Sequence, residues 1–122
     1  MIQFFLVASG GASGALLRFL INNIFRSYLY NSFYLTLFIN VVGSFLIGYV
    51  ISLNLIKNLS EDLIKYFFII GFLGSFTTFS AFSFEVVELI LSQKIILASF
   101  YIFSSIFLCI VAAYLGMYIN KI

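Results

Sequence analysis

The sequence predicts an all-α integral membrane protein of four transmembrane helices, the third broken near its middle, forming one domain over residues 1–122. Composition is the first ground. Of the residues, 64% are hydrophobic and 8% charged, and the mean hydropathy is +1.22. Soluble domains carry about 25% charged residues, so this chain lacks the side chains to cover a watery surface. The second ground is four apolar runs, each near the roughly 20 residues that cross hydrocarbon. The third is GFLGSFTTFSAFSFE, Gly71 to Glu85. It sets glycines and hydroxyls at membrane depth, where they mark packed helices, a water-lined path or a bound ion.

Composition also narrows the chemistry. Histidine is absent, which removes the usual proton shuttle and the commonest metal ligand. The single Cys109 forms no internal disulfide, and without histidine it makes no structural zinc site. An enzyme is not expected. The net charge of +2 comes from scattered basic residues, so nucleic acid is not an expected partner. The N-terminus, MIQFFLVASGG, lacks a basic n-region and reads as the first span, not a cleaved signal.

Span one runs from about Ile2 to Ile24 and contains SGGASGALLR, Ser9 to Arg18. No β-strand precedes it and no P-loop lysine and hydroxyl follow, so close helix packing is the reading, not a phosphate loop. Gly10 and Gly14 have the small-xxx-small spacing that lets backbones approach. Arg18 is either an interfacial anchor or an anion-attracting group at a pore mouth.

Span two runs from about Tyr34 to Ile56. Asn40, Ser44 and Gly48 lie four apart, on one stripe. Asn40 carries a donor and an acceptor, both of which need partners in hydrocarbon. It is either inter-helix glue or a donor aimed at a permeating anion. Ser44 and Gly48 repeat the small-residue spacing.

Ser60, Glu61 and Asp62 read as the N-cap and first turn leading into span three, about Tyr66 to Leu91. Proline is absent, so a break there falls to Gly71, Gly74, Ser75, Thr77 and Thr78. A break frees carbonyl oxygens that can hold a small hard cation, and irregular backbone at this depth must be buried or line a cavity. Phe79 and Phe82 share a face. Their positive ring edges can support an anion, with Ser80 and Ser83 as donors beside them; ordinary packing is the other reading. Glu88 reads as interfacial. Glu85 reads as structural, because no second intramembrane carboxylate or histidine relays a proton.

Span four runs from about Ile95 to Ile119 and carries a polar stripe, Tyr101, Ser105 and Cys109, with Ser104 adjacent. The short Ser92-Gln93-Lys94 connection makes spans three and four antiparallel neighbours. Lys57, Lys65 and Lys121 fall on one side of the membrane. Arg26, Lys94 and a snorkelling Arg18 fall on the other. So weak a bias permits insertion both ways round and hence an antiparallel dimer. A four-helix core is filled by side chains, which puts any path against a partner subunit.

Three motifs in this order, GGASGALLR (Gly10 to Arg18), NVVGSFLIG (Asn40 to Gly48) and GFLGSFTTFSAFS (Gly71 to Ser83), resemble the CrcB/Fluc family of fluoride ion channels. The resemblance covers nearly the whole chain. It implies a fluoride-specific channel that passively exports cytoplasmic fluoride and lowers its toxicity. It implies an antiparallel, dual-topology homodimer in the bacterial inner membrane, with two pores at the interface. By the same resemblance Asn40, Phe79, Phe82, Ser80, Tyr101 and Ser105 belong to the pore, and Arg18 to a vestibule. Gly74 and Thr77 give main-chain carbonyls to a structural sodium that is not transported. Ala81 stands where the family has threonine, Ser75 where glycine is frequent, and Cys109 where a hydroxyl would extend the polar track. A small proton-coupled multidrug-type exporter of dual topology is the rival reading. It needs a carboxylate facing its substrate, and span one has none.

Overall fold

The computed structural model describes residues 1–28, 32–57 and 60–119, with side chains in the second stretch as far as Leu53. The loop residues Leu29 to Asn31, the Lys57 side chain, Asn58, Leu59 and Lys121 lie outside the described residues. Helix α1 spans Ile2–Phe25 and α2 spans Ser32–Lys57. Helix α3, Leu63–Leu73, is π-wound and runs on into one α-helical turn, α4, Gly74–Phe76. Helix α5 is Phe79–Leu91 and α6 is Ile95–Tyr118. Four helical stretches among the described residues are long and apolar enough to cross a membrane, the third counted from Leu63 to Leu91.

The ends follow local chemistry. Ser60 Oγ lies 3.5 Å from the Leu63 N–H, on the side-chain-to-backbone contact that a helix start needs. Between α4 and α5 the chain leaves helical geometry: Thr77 sits at φ −77°, ψ 160° and Thr78 at φ −151°, ψ 119°. Thr78 Oγ1 then accepts the Ala81 N–H at 3.2 Å and restarts the helix. Its hydroxyl competes for backbone groups that a helix interior would use.

Packing is in two pairs. Helix α1 lies along α3, and α2 along α6. Glycine sets both contacts. A Cβ on Gly10 or Gly14 would run into the backbone of Phe67 or Phe72. A Cβ on Gly48 would meet the Ala113 carbonyl, and one on Gly116 the Phe45 carbonyl. Between apolar helices in lipid, close backbone approach supplies the dispersion contact that water-driven burial cannot. These glycines are therefore spent inside the chain and not offered to a second copy. Ser52 reinforces the α2–α6 seam, its hydroxyl reaching the carbonyls of Tyr49 and Gly116.

The α5–α6 turn is tight. Lys94 N–H bonds the Leu89 carbonyl at 2.9 Å and Gln93 N–H the Ile90 carbonyl at 3.0 Å, the paired pattern of a Schellman C-terminus. That pattern needs a left-handed residue, and here it is Gln93 at φ 59°. A side chain there costs roughly 1–2 kcal/mol, more than glycine's roughly 0.5–1 kcal/mol of lost chain entropy. Gln93→Gly should raise the thermal unfolding midpoint in detergent, and Gln93→Val, β-branched, should lower it. A midpoint that falls with glycine contradicts this account of the turn.

Candidate functional site

The chemistry collects where the third crossing loses its helix. Asn40 on α2 pairs its whole amide with one residue there. Nδ2 donates to the Thr78 carbonyl at 3.0 Å, and Oδ1 accepts the Thr78 N–H at 2.8 Å. In an unbroken helix that N–H would close onto Gly74's carbonyl. Asn40 takes it instead, and Thr77, with ψ at 160°, turns its own carbonyl off the helix axis. The glue reading of Asn40 thus holds, while the second Nδ2 hydrogen is still left for another acceptor. Gly74 is exposed and an added Cβ would meet only the Ile69 carbonyl, at 3.4 Å. Neutral main-chain oxygens of this kind suit a hard cation, so the residues present fit the sodium that the family resemblance implies.

Beside the break lies a groove of about 370 Å³. Asn40, Gly43 and Ser44 of α2 form one wall. Gly74, Thr77, Thr78, Phe79 and Phe82 form the middle, and Ser105 and Cys109 of α6 the other wall. The two phenylalanine rings have centroids 5.4 Å apart. Phe82 is 8% exposed and packs on Tyr101, while Phe79 is 77% exposed at the groove's edge. Ser105 is buried, and its Oγ has no hydrogen-bond partner among the described residues. That oxygen is shielded from the groove and lies toward the Tyr101 hydroxyl, one turn back on α6.

Glu85 is buried one turn beyond Phe82. Thr36 Oγ1 of α2 donates to its Oε1 and the Tyr101 hydroxyl of α6 to its Oε2, both at 2.8 Å. Three crossings thereby share one carboxyl group, in keeping with the structural reading of Glu85. Tyr101 sits behind Phe82 in the core, with Phe33 on its other side, and is not in the groove wall. Ser80 is exposed outside that wall, its Oγ 3.1 Å from Thr78 Oγ1. Arg18 lines a second pocket with Asn22, Thr36 and Ala81, which meets the groove only at Thr78.

The structure therefore brings Asn40, Gly74, Thr77, Phe79, Phe82 and Ser105 together and leaves Arg18, Ser80 and Tyr101 outside the groove. From sequence Thr36 has no role and Thr78 only a place in the helix break. Thr36 carried a signal: it stands four residues before Asn40 and extends the stripe Asn40, Ser44, Gly48.

Residues 5–117 match the family described as CrcB-like protein, Camphor Resistance (CrcB). Among curated proteins, the Fluoride-specific ion channel FluC of Campylobacter jejuni is 44% identical over 116 residues, 94% of each chain. The protein of the same name from Thermus thermophilus is 41% identical, over 95% of this chain and 93% of its own. That of Magnetococcus marinus is 38% identical over 95% of both.

The carboxyl node yields a stability test. Tyr101→Phe strips the donor from Glu85 Oε2, and Thr36→Val strips it from Oε1. Each should cost about 1–3 kcal/mol in unfolding measured in detergent. Because both act on one carboxyl group, the double variant should lose less than the two single losses added. Strict additivity would show that the three residues do not work as a unit.

Proposed function

This chain belongs to the CrcB family, and from that premise we propose that it is a fluoride-specific channel through which cytoplasmic fluoride leaves the cell passively. It is a multi-pass membrane protein of bacterial type, and its relatives bear a channel's name, not an enzyme's. The observation that carries the reading is the groove wall. Its polar groups are uncharged, the Asn40 amide with its spare N–H among them, and among the described residues no charged side chain lines it.

Fluoride entering the groove exchanges water for the Asn40 amide and the edges of Phe79 and Phe82, with Ser105 in the wall behind them. Asn40 is held in place by Thr78, so its free hydrogen is preset. Phe82 is fixed between Phe79 and Tyr101. With neutral ligands the ion is bound loosely enough to leave, which conduction demands. The inside-negative membrane drives the anion outward by about 2.3 kcal/mol per 100 mV. Arg18, in its adjoining pocket, draws anions toward the break.

The groove is a surface feature of one chain, and a second copy inserted upside-down supplies its other wall. The near balance of Lys and Arg across the membrane supports that antiparallel homodimer. The carbonyls of Gly74 and Thr77 would hold a structural sodium ion that is not itself transported, supplying positive charge at the break. The exporter reading is disfavoured. Among the described residues no carboxylate lines the groove, and Glu85 has both oxygens bonded within the core.

Purified protein in liposomes should release fluoride under a gradient while chloride stays at the protein-free rate. Asn40→Asp and Phe82→Ile should each cut fluoride efflux about ten-fold or more, the loss of one polar or aromatic wall element being worth at least about 1.4 kcal/mol. No fluoride flux, or equal chloride flux, rejects the channel reading.

A further inference from the structure

Gly43 stands on α2 three residues beyond Asn40, on the side that meets the break in the third crossing. It is buried, and a Cβ added to it would run into the Thr77 methyl group and lie 3.4 Å from the Phe76 ring. Glycine weakens a helix interior, so its place here needs a reason, and the Thr77 methyl supplies one. Two bonds keep that methyl where it is. Thr77 Oγ1 donates to the Leu73 carbonyl at 2.8 Å, and the Thr77 N–H donates to the same oxygen at 3.1 Å. Turning the stiff, β-branched side chain away from α2 breaks the hydroxyl's bond. Keeping that bond leaves only the backbone to shift.

That stretch of backbone carries the cation's oxygens. Thr77 is extended, at φ −77° and ψ 160°. The peptide that joins it to Thr78 is held at its N–H, which Asn40 Oδ1 accepts at 2.8 Å. A trans peptide sets its carbonyl opposite its N–H, so the Thr77 carbonyl points away from Asn40. Asn40 thus gives that oxygen its direction, and the fit of Thr77 on Gly43 gives it its position. We propose that Gly43 is a positioning residue for the sodium site: its bare face seats the Thr77 methyl, and that seat places the Thr77 carbonyl for the ion. This rests on the sodium reading above. Alanine at position 43 pushes Thr77 off α2 and carries its carbonyl out of register with that of Gly74.

The test is the thermal unfolding midpoint of the full chain in detergent, followed as sodium chloride replaces N-methylglucamine chloride at constant ionic strength. An ion that binds the folded chain raises the midpoint by mass action. Gly43→Ala should need about ten-fold or more sodium for the wild-type rise, the scale of one overpacked contact. Thr77→Ser removes the methyl and keeps the hydroxyl and the carbonyl. In that background Gly43→Ala should change the sodium demand by less than about two-fold, because the colliding group is gone. A residue that only packs would lower the midpoint equally at every sodium concentration. The proposal is overturned if Gly43→Ala answers sodium as the wild type does, or if its cost is the same in both backgrounds. Where Gly43→Ala alone does not fold, the double variant must fold and answer sodium as Thr77→Ser does; a double variant that fails too overturns the proposal. A wild type indifferent to sodium is a separate result, which sinks the sodium reading and this inference with it.

Discussion

A chain that interrupts a helix inside hydrocarbon must give every freed backbone group a partner, and here one side chain meets most of that demand. No water stands ready at that depth, and each bare N–H or C=O costs several kcal/mol. Asn40 answers with a two-point bond to the N–H and C=O of Thr78. An amide is the only uncharged side-chain group that donates and accepts at this spacing. Serine would satisfy one group, and aspartate would bring a charge with it. The same bond frees the Gly74 carbonyl, keeps Thr77 extended, and fixes the groove's floor. Remove that amide and the break has no reason to stay open.

The rest of the fold keeps Asn40 and Thr78 in register. The glycine contacts of α1 with α3, and of α2 with α6, make two stiff pairs. The pairs are linked where α2 meets the break and where Thr36 and Tyr101 converge on Glu85. Phe82 lies between those two links and contacts Tyr101 at a centroid distance of 5.1 Å. A wall residue is thus positioned by a carboxyl group that never reaches the groove. Glu85 contributes to the site by holding rings in place, with its own oxygens already occupied.

The four spans were legible because hydropathy and length are properties of single segments. Their ends agree with the described helices to within a few residues. Gly71 to Glu85 was legible as the unusual segment for the same reason: glycines and threonines are costly in an ordinary span. What a residue faces is a property of the packed whole, and there the sequence stops. Tyr101, Ser105 and Cys109 share a stripe, yet Tyr101 turns to Glu85 in the core while the other two reach the groove. Nothing in a spacing of four distinguishes a stripe that lines a path from one split between path and core. Gly10, Gly14 and Gly48 were readable as close-approach residues. That their partners are helices of the same chain depends on tertiary contacts no spacing encodes. Thr36 went unassigned because a lone threonine inside an apolar span shows no partner in the sequence, and its meaning appears only beside a carboxyl group 49 residues away.

A neutral wall also explains why Arg18 is kept apart from the groove. A fixed charge about 4 Å from an anion attracts it by about 4 kcal/mol at an effective dielectric constant near 20. That is roughly a thousand-fold in residence time, enough to convert a path into a trap. A neutral hydrogen bond is worth only about 1 kcal/mol net, so several in series hold an ion while leaving each step shallow. Arg18 lies in a pocket that shares only Thr78 with the groove. In the proposed channel its charge raises the local anion concentration at the entrance without deepening any well along the route. Selectivity then falls to the wall's geometry. In that channel a small anion sheds its water where the Asn40 amide and the phenylalanine rings are held in advance, the amide by its bond to Thr78 and Phe82 by the Tyr101 that serves the Glu85 node.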